Sequence, residues 1–307
     1  MAHEERYMTP SFDGLLVLDK PGGITSRDAV DRALRWFPRG TRVGHTGTLD
    51  PLATGVLVLC VGSATRLTEY VQQMEKTYHT TVRLGVRSDT DDADGTVTPV
   101  EEAVAPTREL LEACLQGFLG EIEQVPPAFS AAKVTGRRAY DLARRGEEVM
   151  LQPRKVQVYG IDVRRYEYPE ADLEVRCGKG TYIRSLARDL GERLGCGGLV
   201  QGLRRRRVGP FHVEDAVPLD TDPETARSRL LPLTAAVAEL PLLTVPAPAA
   251  AQLRQGKAIS PPGAPPAAEE CAILDTDGLL VAIAQVDRRA RLLRPVKVLS
   301  ILRSGRL

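Results

Sequence analysis

The densest run of turn-forming and chemically useful residues is the segment 44–55, which reads GHTGTLDPLATG. Three glycines and a proline punctuate it just before an apolar run, which predicts a loop that enters a buried strand. At its centre, Asp50 has a carboxyl group with an ordinary pKa of about 3.9, so it can attack carbon at neutral pH without an activating base. Asp50-Pro51 is also a common way to begin a turn, and the pattern alone leaves both interpretations open.

A cation able to partner Asp50 occurs in a second motif, the run GKGTYIRSLARDLGERL that begins at residue 178. Thr181 is a suitable N-cap, and an apolar stripe at helical spacing follows it, so this run predicts a helix. Arg184 falls on the polar side of that helix. A guanidinium group beside a carboxylate fixes its direction and lowers its pKa by roughly 1 to 3 units, which makes Arg184 a candidate partner.

The elements before this loop follow from apolar runs and turn residues. The apolar segment 14–19 predicts a strand that ends at the turn Lys20-Pro21-Gly22-Gly23. Thr25 or Ser26 can then cap a helix that runs to about residue 36. The segment 55–62 predicts a buried strand that leads away from the Asp50 loop.

After this strand, Ser63 is a suitable cap for a helix through residue 76. From 77 to 86, a face that begins with Tyr78 alternates with a more polar face, which predicts a two-sided strand. On pattern alone, Tyr78 could be a core tyrosine of this strand. Further along, the pattern predicts a helix near 110–118 and strands over 156–168 and 172–177.

The strands and helices do not follow a regular βαβ rhythm, so the sequence predicts an α+β fold with a mixed, largely antiparallel sheet. Beyond about residue 240 the composition shifts to Pro and Ala, with a short helix near 249–254 and a hairpin at Asp277-Gly278. We therefore expect a catalytic domain over 1–238 and a small β-rich domain over 239–307.

Bulk composition excludes several classes of protein. The 41 Lys and Arg residues nearly balance 40 Asp and Glu, so net charge neither requires nor excludes a nucleic-acid partner. Five cysteines without a CxxC pair argue against a disulfide framework or a zinc site. The N-terminus lacks an apolar core, and the apolar run 56–61 is too short to cross a bilayer. These features predict a soluble, cytoplasmic protein without a resident metal.

Positive charge is concentrated in two clusters that predict contacts with RNA phosphates, although such runs are usually solvated faces. The second cluster is the run Arg204 to Arg207. The first cluster comprises Lys133, Arg137, Arg138, Arg144, Arg145, Arg154 and Lys155.

Two other motifs fail on their details. The acidic segment 90–101 approaches the spacing of an EF-hand loop, but Thr90 replaces the first Asp and a strand precedes it, which argues against calcium binding. The turn Gly178-Lys179-Gly180-Thr181 has Gly180 between its Lys and Thr and no upstream glycine. A nucleoside triphosphate loop is therefore not predicted.

The block GHTGTLDPLATGVL resembles the catalytic motif of TruB-type tRNA pseudouridine synthases. The resemblance extends, in order along about two hundred residues, to other short motifs. These are Lys20-Pro21-Gly22, Tyr78, the run GKGTYIRS from 178, Leu203-Arg204-Arg205, and the run VGPF from 208.

This resemblance implies that the chain isomerises uridine 55 in the T-loop of tRNA to pseudouridine, with no cofactor. It implies that Asp50 is the catalytic nucleophile or base, Arg184 its ion-pair partner, and Tyr78 the ring stacked on the target uracil. It further implies that His45 fills the gap left by the flipped nucleotide. Lys20, Tyr182 and Leu203 match other substrate-binding positions, and Lys133, Arg137, Arg138, Arg204 and Arg205 remain the candidate phosphate contacts.

Segments outside the catalytic motifs also resemble parts of this family. Residues 124–152 resemble a mobile RNA-binding insertion, and the C-terminal piece resembles a PUA domain, a small RNA-binding pseudo-barrel. The expected partner is the T-arm of tRNA, acted on by a monomer without a required protein partner. Two alternatives stay open: a noncatalytic RNA-binding protein, and a guide-RNA-dependent synthase, against which the basic insertion argues.

Overall fold

The computed structural model describes residues 12–130 and 151–299, together with the backbone of two short strands at 133–134 and 137–138. Its α-helices are α1 (Ser26–Ala33), α2 (Thr68–Gln73), α3 (Arg108–Gln116), α4 (Ile183–Arg193), α5 (Pro223–Ser228) and α6 (Ala247–Arg254). Short 3-10 helices cover Leu34–Trp36, Gly62–Leu67, Val213–Asp215 and Leu233–Val237.

The strands in this part of the chain are β1 (Gly14–Lys20), β2 (Val43–His45), β3 (Thr54–Val61), β4 (Lys76–Leu84), β5 (Val86–Ser88), β6 (Val97–Pro99), β7 (Gly120–Gln124), β8 (Lys133–Val134), β9 (Arg137–Arg138), β10 (Arg154–Glu167), β11 (Glu170–Cys177), β12 (Gly198–Val208), β13 (Phe211–His212), β14 (Val217–Pro218), β15 (Leu242–Thr244), β16 (Glu270–Leu274), β17 (Leu280–Asp287) and β18 (Leu292–Val298).

A large mixed sheet forms the centre of the described chain, in the order β14-β1-β3-β12-β4-β11-β10-β7, with β2 beside β3 and β13 beside β12. The pairs β1–β14 and β12–β3 are parallel, and the remaining neighbours are antiparallel. The predicted α+β class with a mixed, largely antiparallel sheet is confirmed. Strand β12 pairs with β3 over only two positions, so the sheet parts beside the loop that precedes β3.

Local sequence explains the elements on either side of that loop. Thr25 caps α1 in a capping box with Asp28, which confirms the predicted start of the helix. Strand β3 is buried along nearly its whole length, as its unbroken apolar run predicts. In β4 the buried face that includes Tyr78 alternates with exposed His79 and Arg83, which confirms the two-sided strand.

Two predicted helix caps are wrong. Ser63 lies inside a 3-10 turn rather than before a helix, and the Asp13 carboxylate accepts a hydrogen bond from its N–H. Thr181 does not cap α4, because its hydroxyl donates to the Gly178 carbonyl oxygen at 3.2 Å within the preceding turn. The residue at the cap of α4 is Tyr182, whose side chain makes no capping hydrogen bond.

Two apolar clusters cover the two faces of the sheet. Helices α1, α3 and α4 pack against one face, around Leu57, Leu115 and Leu186. On the other face, Val56 and Val58 belong to a cluster with buried residues of the C-terminal sheet β15-β16-β17-β18. Polar contacts join the same two parts: the Tyr70 hydroxyl group donates to the Glu270 carboxylate at 3.1 Å. The C-terminal sheet is therefore fixed against the central one. The boundary at residue 238 stays a prediction.

Candidate active site

The loop that carries Asp50 is anchored by side chains from separate segments. Ser26, in the first turn of α1, donates from Oγ to the Leu49 carbonyl oxygen at 2.9 Å and accepts from the Leu49 N–H at 2.8 Å. The Gly23 N–H donates to the Pro51 carbonyl oxygen at 2.9 Å. The residues immediately before and after Asp50 are therefore both held by the turn-helix segment that follows β1.

Arg205, on β12, anchors the same loop. Its Nε donates to the Val56 carbonyl oxygen at 2.7 Å and its Nη2 to the Gly47 carbonyl oxygen at 3.0 Å, so one guanidinium group joins both ends of the loop to β12. The residue is only 3% exposed. Two of its donors are thus used within the protein, whereas the side chain also lines the cleft that contains Asp50, and a phosphate contact for Arg205 stays a prediction.

The neighbouring arginines also have partners within the protein. Arg204 forms a two-pronged contact with Asp19, with Nη2 to Oδ2 at 2.8 Å and Nη1 to Oδ1 at 3.1 Å. Arg206 and Arg207 pair with Glu214 and Glu75. The run looks like a free basic patch in sequence, but its acidic partners come from other segments and offset its charge. A phosphate contact for the half-exposed Arg204 stays a prediction.

Asp50 and Arg184 meet side by side. Arg184 Nη2 donates to Asp50 Oδ1 at 3.0 Å, and its Nε lies 2.9 Å from Oδ2. The Arg184 side chain is 5% exposed, whereas that of Asp50 is 33% exposed. The predicted pair is therefore in contact, and the arginine is buried although it falls on the polar stripe of α4. A two-point contact of this kind fixes both the position and the rotation of the carboxylate.

The buried guanidinium of Arg184 has three further acceptors. Its Nη1 lies 3.2 Å from Asp92 Oδ2 and donates to the Thr90 carbonyl oxygen at 2.8 Å, while its Nη2 donates to the Phe129 carbonyl oxygen at 2.9 Å. Sequence reasoning missed Asp92, which it considered only as part of a rejected calcium motif. The sequence signal for Asp92 was its place in a run of acidic residues, because a buried arginine such as Arg184 needs a carboxylate to neutralise its charge.

Opposing effects act on the Asp50 carboxyl group. Burial raises its pKa, the Arg184 guanidinium acts in the opposite direction, and the negative charge of Asp92 raises the pKa further. The pKa of Asp50 remains above its ordinary value. The Asp50 carboxylate is therefore partly desolvated as well as oriented.

Tyr78 faces Asp50 across a cleft of about 430 Å³. The tyrosine lies on β4 between Arg205 on one neighbouring strand and Val175 on the other. It is 8% exposed, and burial raises the pKa of its hydroxyl group. The side chain belongs to the apolar core and also lines the cleft, and its stacking on a base stays a prediction.

Two other predicted residues line this cleft. Leu203 on β12 contributes an apolar wall, and Tyr182 lies at the start of α4. The backbone of Tyr182 is held on both sides by the buried Gln124 amide, with hydrogen bonds of 2.8 and 3.0 Å. Lys76, which sequence reasoning missed, also lines the cleft, and burial lowers the pKa of its amino group to about 8.

His45 lies on the opposite side of the Asp50 loop from Tyr78. It ends β2 and lines a second cavity of about 440 Å³, whose wall also includes Asp50, Arg184 and Phe129. The Asp50–Arg184 pair therefore forms part of the wall of both cavities. His45 shares a cavity with the carboxylate but not with the ring of Tyr78, and its role in a bound RNA stays a prediction.

Lys20 does not line the cleft, and its role in substrate binding stays a prediction. Its side chain is fully buried, and Nζ donates to the carbonyl oxygens of Pro21 at 2.9 Å, Ile24 at 2.8 Å and Pro51 at 3.4 Å. Burial lowers its pKa to about 8, although the nearby Asp50 charge opposes this effect. The structure assigns Lys20 to anchoring the loop after Asp50.

The other candidate phosphate contacts lie mostly beyond the described residues. The side chains of Lys133, Arg137, Arg138, Arg144 and Arg145 are among those that the structure does not describe. Arg154 and Lys155 are exposed on β10, where Lys155 pairs with Glu121 at 2.7 Å. Within the described ranges, His, Cys, Asp and Glu side chains form no group suited to a metal ion. No helix in those ranges is long and apolar enough to span a membrane.

Comparison with known proteins agrees with this geometry. Residues 35–183 match the N-terminal domain of the TruB family pseudouridylate synthases, and residues 184–238 match the tRNA pseudouridylate synthase B C-terminal domain. The chain belongs to the TruB family. The two matches meet between Ile183 and Arg184, at the start of α4, so the Asp50–Arg184 pair joins the two parts of the family pattern.

Relatives within the TruB family cover most of the chain. The tRNA pseudouridine synthase B of Cereibacter sphaeroides is 48% identical over 80% of this chain and 83% of that protein. The protein of the same name from Chromohalobacter salexigens is 43% identical over 90% of this chain and 91% of its own length. A crystal structure of a Cbf5-Nop10-Gar1 complex contains a chain that is 26% identical, with a TM-score of 0.70 over 94% of this chain and 84% of that one.

Proposed function

We propose that this TruB-family chain isomerises uridine 55 in the T-loop of tRNA to pseudouridine, without a cofactor. One observation carries the proposal: a partly exposed carboxylate, Asp50, shares a cleft with the ring of Tyr78 while the buried Arg184 fixes its direction. Family membership supports the reaction, and relatives named tRNA pseudouridine synthase B support tRNA as the substrate.

The proposed reaction breaks the bond between ribose C1′ and uracil N1, turns the base, and joins C1′ to uracil C5. The C5 proton leaves and N1 gains one, so no oxidant or energy source is needed. Asp50 is the nucleophile or base, and Arg184 stabilises its negative charge as charge separates between sugar and base. Stacking on Tyr78 offsets by roughly 1 to 3 kcal/mol the cost of extruding the uridine.

The remaining cleft residues support binding of an extruded nucleotide. Leu203 and Tyr182 line the cleft around the proposed uracil position. His45, on the other side of the Asp50 loop, is the proposed side chain that enters the gap left in the RNA stack. The flipped base would occupy the cavity on one side of the Asp50 loop, and His45 would fill the gap in the RNA stack on the other side. This arrangement would account for two cavities that share the Asp50 carboxylate.

Replacement of Asp50 by Asn tests the proposal, because the amide keeps the shape of the side chain and removes its charge. Pseudouridine formation in a T-arm stem-loop should be lost, with binding of the RNA within a few-fold of wild type. Asp94→Asn is the matched control, since Asp94 is an exposed acid beside the second cavity. Normal turnover by Asp50→Asn would reject the mechanism.

For the C-terminal sheet we propose a PUA-like RNA-binding role. The turn between β17 and β18 carries three exposed arginines, Arg288, Arg289 and Arg291, that form no ion pair with the described residues. Basic residues that lack acidic partners favour binding of phosphates. Replacing all three with Gln should weaken binding of full-length tRNA. The slope of the logarithm of the binding constant against the logarithm of the salt concentration should fall in magnitude by about 0.9 for each duplex phosphate that the variant no longer binds. Unchanged binding would remove this assignment.

We further propose that the protein acts as a monomer, without a guide RNA or protein partner, and in the cytoplasm with its tRNA substrate. The likeness to a chain crystallised with Nop10 and Gar1 favours the guide-dependent alternative, whereas the 48% identical relative favours the stand-alone enzyme. Purified protein and unmodified T-arm RNA decide between them. Pseudouridine should form without additions, and binding without any change in the nucleoside would indicate a noncatalytic RNA-binding protein.

A further inference from the structure

Tyr159 is an exposed aromatic residue next to the turn that borders the catalytic cleft. It is 47% exposed on β10, at a point where the pairing of β10 with β11 shifts register. Val158 pairs with Cys177 and Gly160 pairs with Arg176, which leaves Tyr159 as the extra residue of a β-bulge. Bulges re-aim side chains and occur often near active sites.

The bulge directs Tyr159 towards residues 178–181, which line the cleft. A methyl group built on Gly178 would lie 3.4 Å from the Tyr159 hydroxyl oxygen, so the hydroxyl end of the side chain reaches that turn. The Gly178 N–H also donates to the Gln157 carbonyl oxygen at 2.8 Å, which fixes the distance between the two segments. The cleft-lining Lys76 lies at the same end of the sheet, opposite Cys177.

Two exposed cations lie on the segments next to Tyr159. Arg176 pairs with Gly160, the residue after Tyr159, where an added methyl group would come within 2.6 Å of its Nη2 atom, and Lys179 lies in the turn itself. Neither takes part in an ion pair with another described residue. By contrast, Arg164 and Arg165, further along β10, pair with carboxylates at 2.8 and 2.7 Å. The charge beside Tyr159 is therefore available to an anion.

We propose that Tyr159, Arg176 and Lys179 form a second RNA-contact surface that stacks a single-stranded nucleotide flanking the target uridine and binds its phosphates. Extrusion of the target leaves neighbouring bases without a stacking partner, and an exposed tyrosine with adjacent cations supplies both kinds of contact. The inference deepens the proposed function and rests on it, because it presumes that RNA enters the cleft.

The test uses T-arm stem-loop RNAs that carry 2-aminopurine at either nucleotide next to the target uridine. Binding to wild type should quench the fluorescence of one of the two probes. In Tyr159→Ala the quenching should disappear and the dissociation constant should rise about 5-fold to 150-fold, the range for loss of one base stack. Turnover at saturating RNA should stay near wild type, and Tyr159→Phe should retain both properties.

Tyr168→Ala is the matched control, because Tyr168 is 36% exposed beyond the far end of the same strand. Arg176→Gln and Lys179→Gln should each lower the log-log salt slope of binding by about 0.7, the value for one single-strand phosphate. Equal quenching and affinity in Tyr159→Ala and wild type would overturn the inference, as would a loss of turnover with unchanged affinity. If wild type binds the probes but makes no pseudouridine, the proposed function fails and the binding data still decide the inference.

Discussion

Arg205 provides the sharpest test of how the fold positions the Asp50 carboxylate, the proposed catalytic group. One buried guanidinium group holds the carbonyl oxygens of Gly47 and Val56, which lie on either side of Asp50 in the chain. We consider the change Arg205→Met, which keeps an unbranched side chain of similar length and removes every donor. Both carbonyl oxygens would then lose a charged partner in an interior that water reaches poorly.

The expected cost follows from these two hydrogen bonds. A hydrogen bond to a charged group contributes about 1.5 to 3 kcal/mol, and relief of the cost of burying the charge offsets part of the sum. The free energy of unfolding should therefore fall by about 3 kcal/mol. A displacement of the Asp50 loop by about 1 Å should lower the rate of the chemical step about 100-fold, because the reaction depends on close alignment.

The assay pairs urea unfolding with single-turnover pseudouridine formation at saturating T-arm RNA. Arg206→Met is the matched control, since Arg206 is the next residue of the same strand, is 40% exposed and pairs with Glu214 at the surface. A surface pair contributes 0 to about 1 kcal/mol, so this variant should stay close to wild type. Equal stability and equal rates for the two variants would refute the anchoring argument. A change confined to RNA affinity and its salt dependence would instead support the sequence-based prediction that Arg205 contacts a phosphate.

Three more predictions concern the same loop. Gly55→Ala should lower the free energy of unfolding by about 3 kcal/mol or more, because a methyl group there would lie 2.2 Å from the Arg205 carbonyl oxygen on a backbone with φ of 98°. Gly44→Ala is the control, since a methyl group at that position meets nothing within 4 Å. Urea unfolding compares the two variants. Wild-type activity should fall as pH drops through the raised pKa of Asp50, so a pH–rate profile with its acid limb at or below the ordinary value of about 3.9 would contradict the burial argument. Asp92→Asn removes a charge that raises the pKa of Asp50, so the acid limb of the pH–rate profile should move to lower pH while the maximal rate falls. An acid limb that stays in place would show that the two carboxyl groups do not interact.

The sequence predicted those parts of the fold in which local pattern and tertiary environment agree. The alternation in β4 and the unbroken apolar run of β3 both identify strands, because one is buried on a single face and the other on both. The caps at Ser63 and Thr181 were wrong for a shared reason. Each hydroxyl residue follows a glycine with positive φ, Gly62 or Gly180, and lies in a tight turn rather than at the N-cap of an α-helix.

The sequence predicted the charged pair of the site better than the residues that hold its loop in place. Asp50 and Arg184 could be paired from their residue types and from the family resemblance, and the structure brings them into contact. The family resemblance places Lys20 among the substrate-binding positions, and the basic run suggests a phosphate contact for Arg205. The acceptors that the structure shows for both are backbone carbonyl oxygens, which every residue possesses and which no sequence pattern therefore reveals.

Backbone acceptors also explain why a buried cation can lie near the Asp50 carboxylate without forming an ion pair with it. Lys20 directs its N–H groups to carbonyl oxygens, so the attraction that Asp50 experiences from Lys20 acts through space rather than through a hydrogen bond. Only Arg184 contacts the carboxylate directly, and Asp92 shares that guanidinium group. The oxygen atoms of Asp50 consequently keep a side open to the cleft, where an electron-poor carbon of the substrate can approach a carboxylate that is oriented but only partly neutralised.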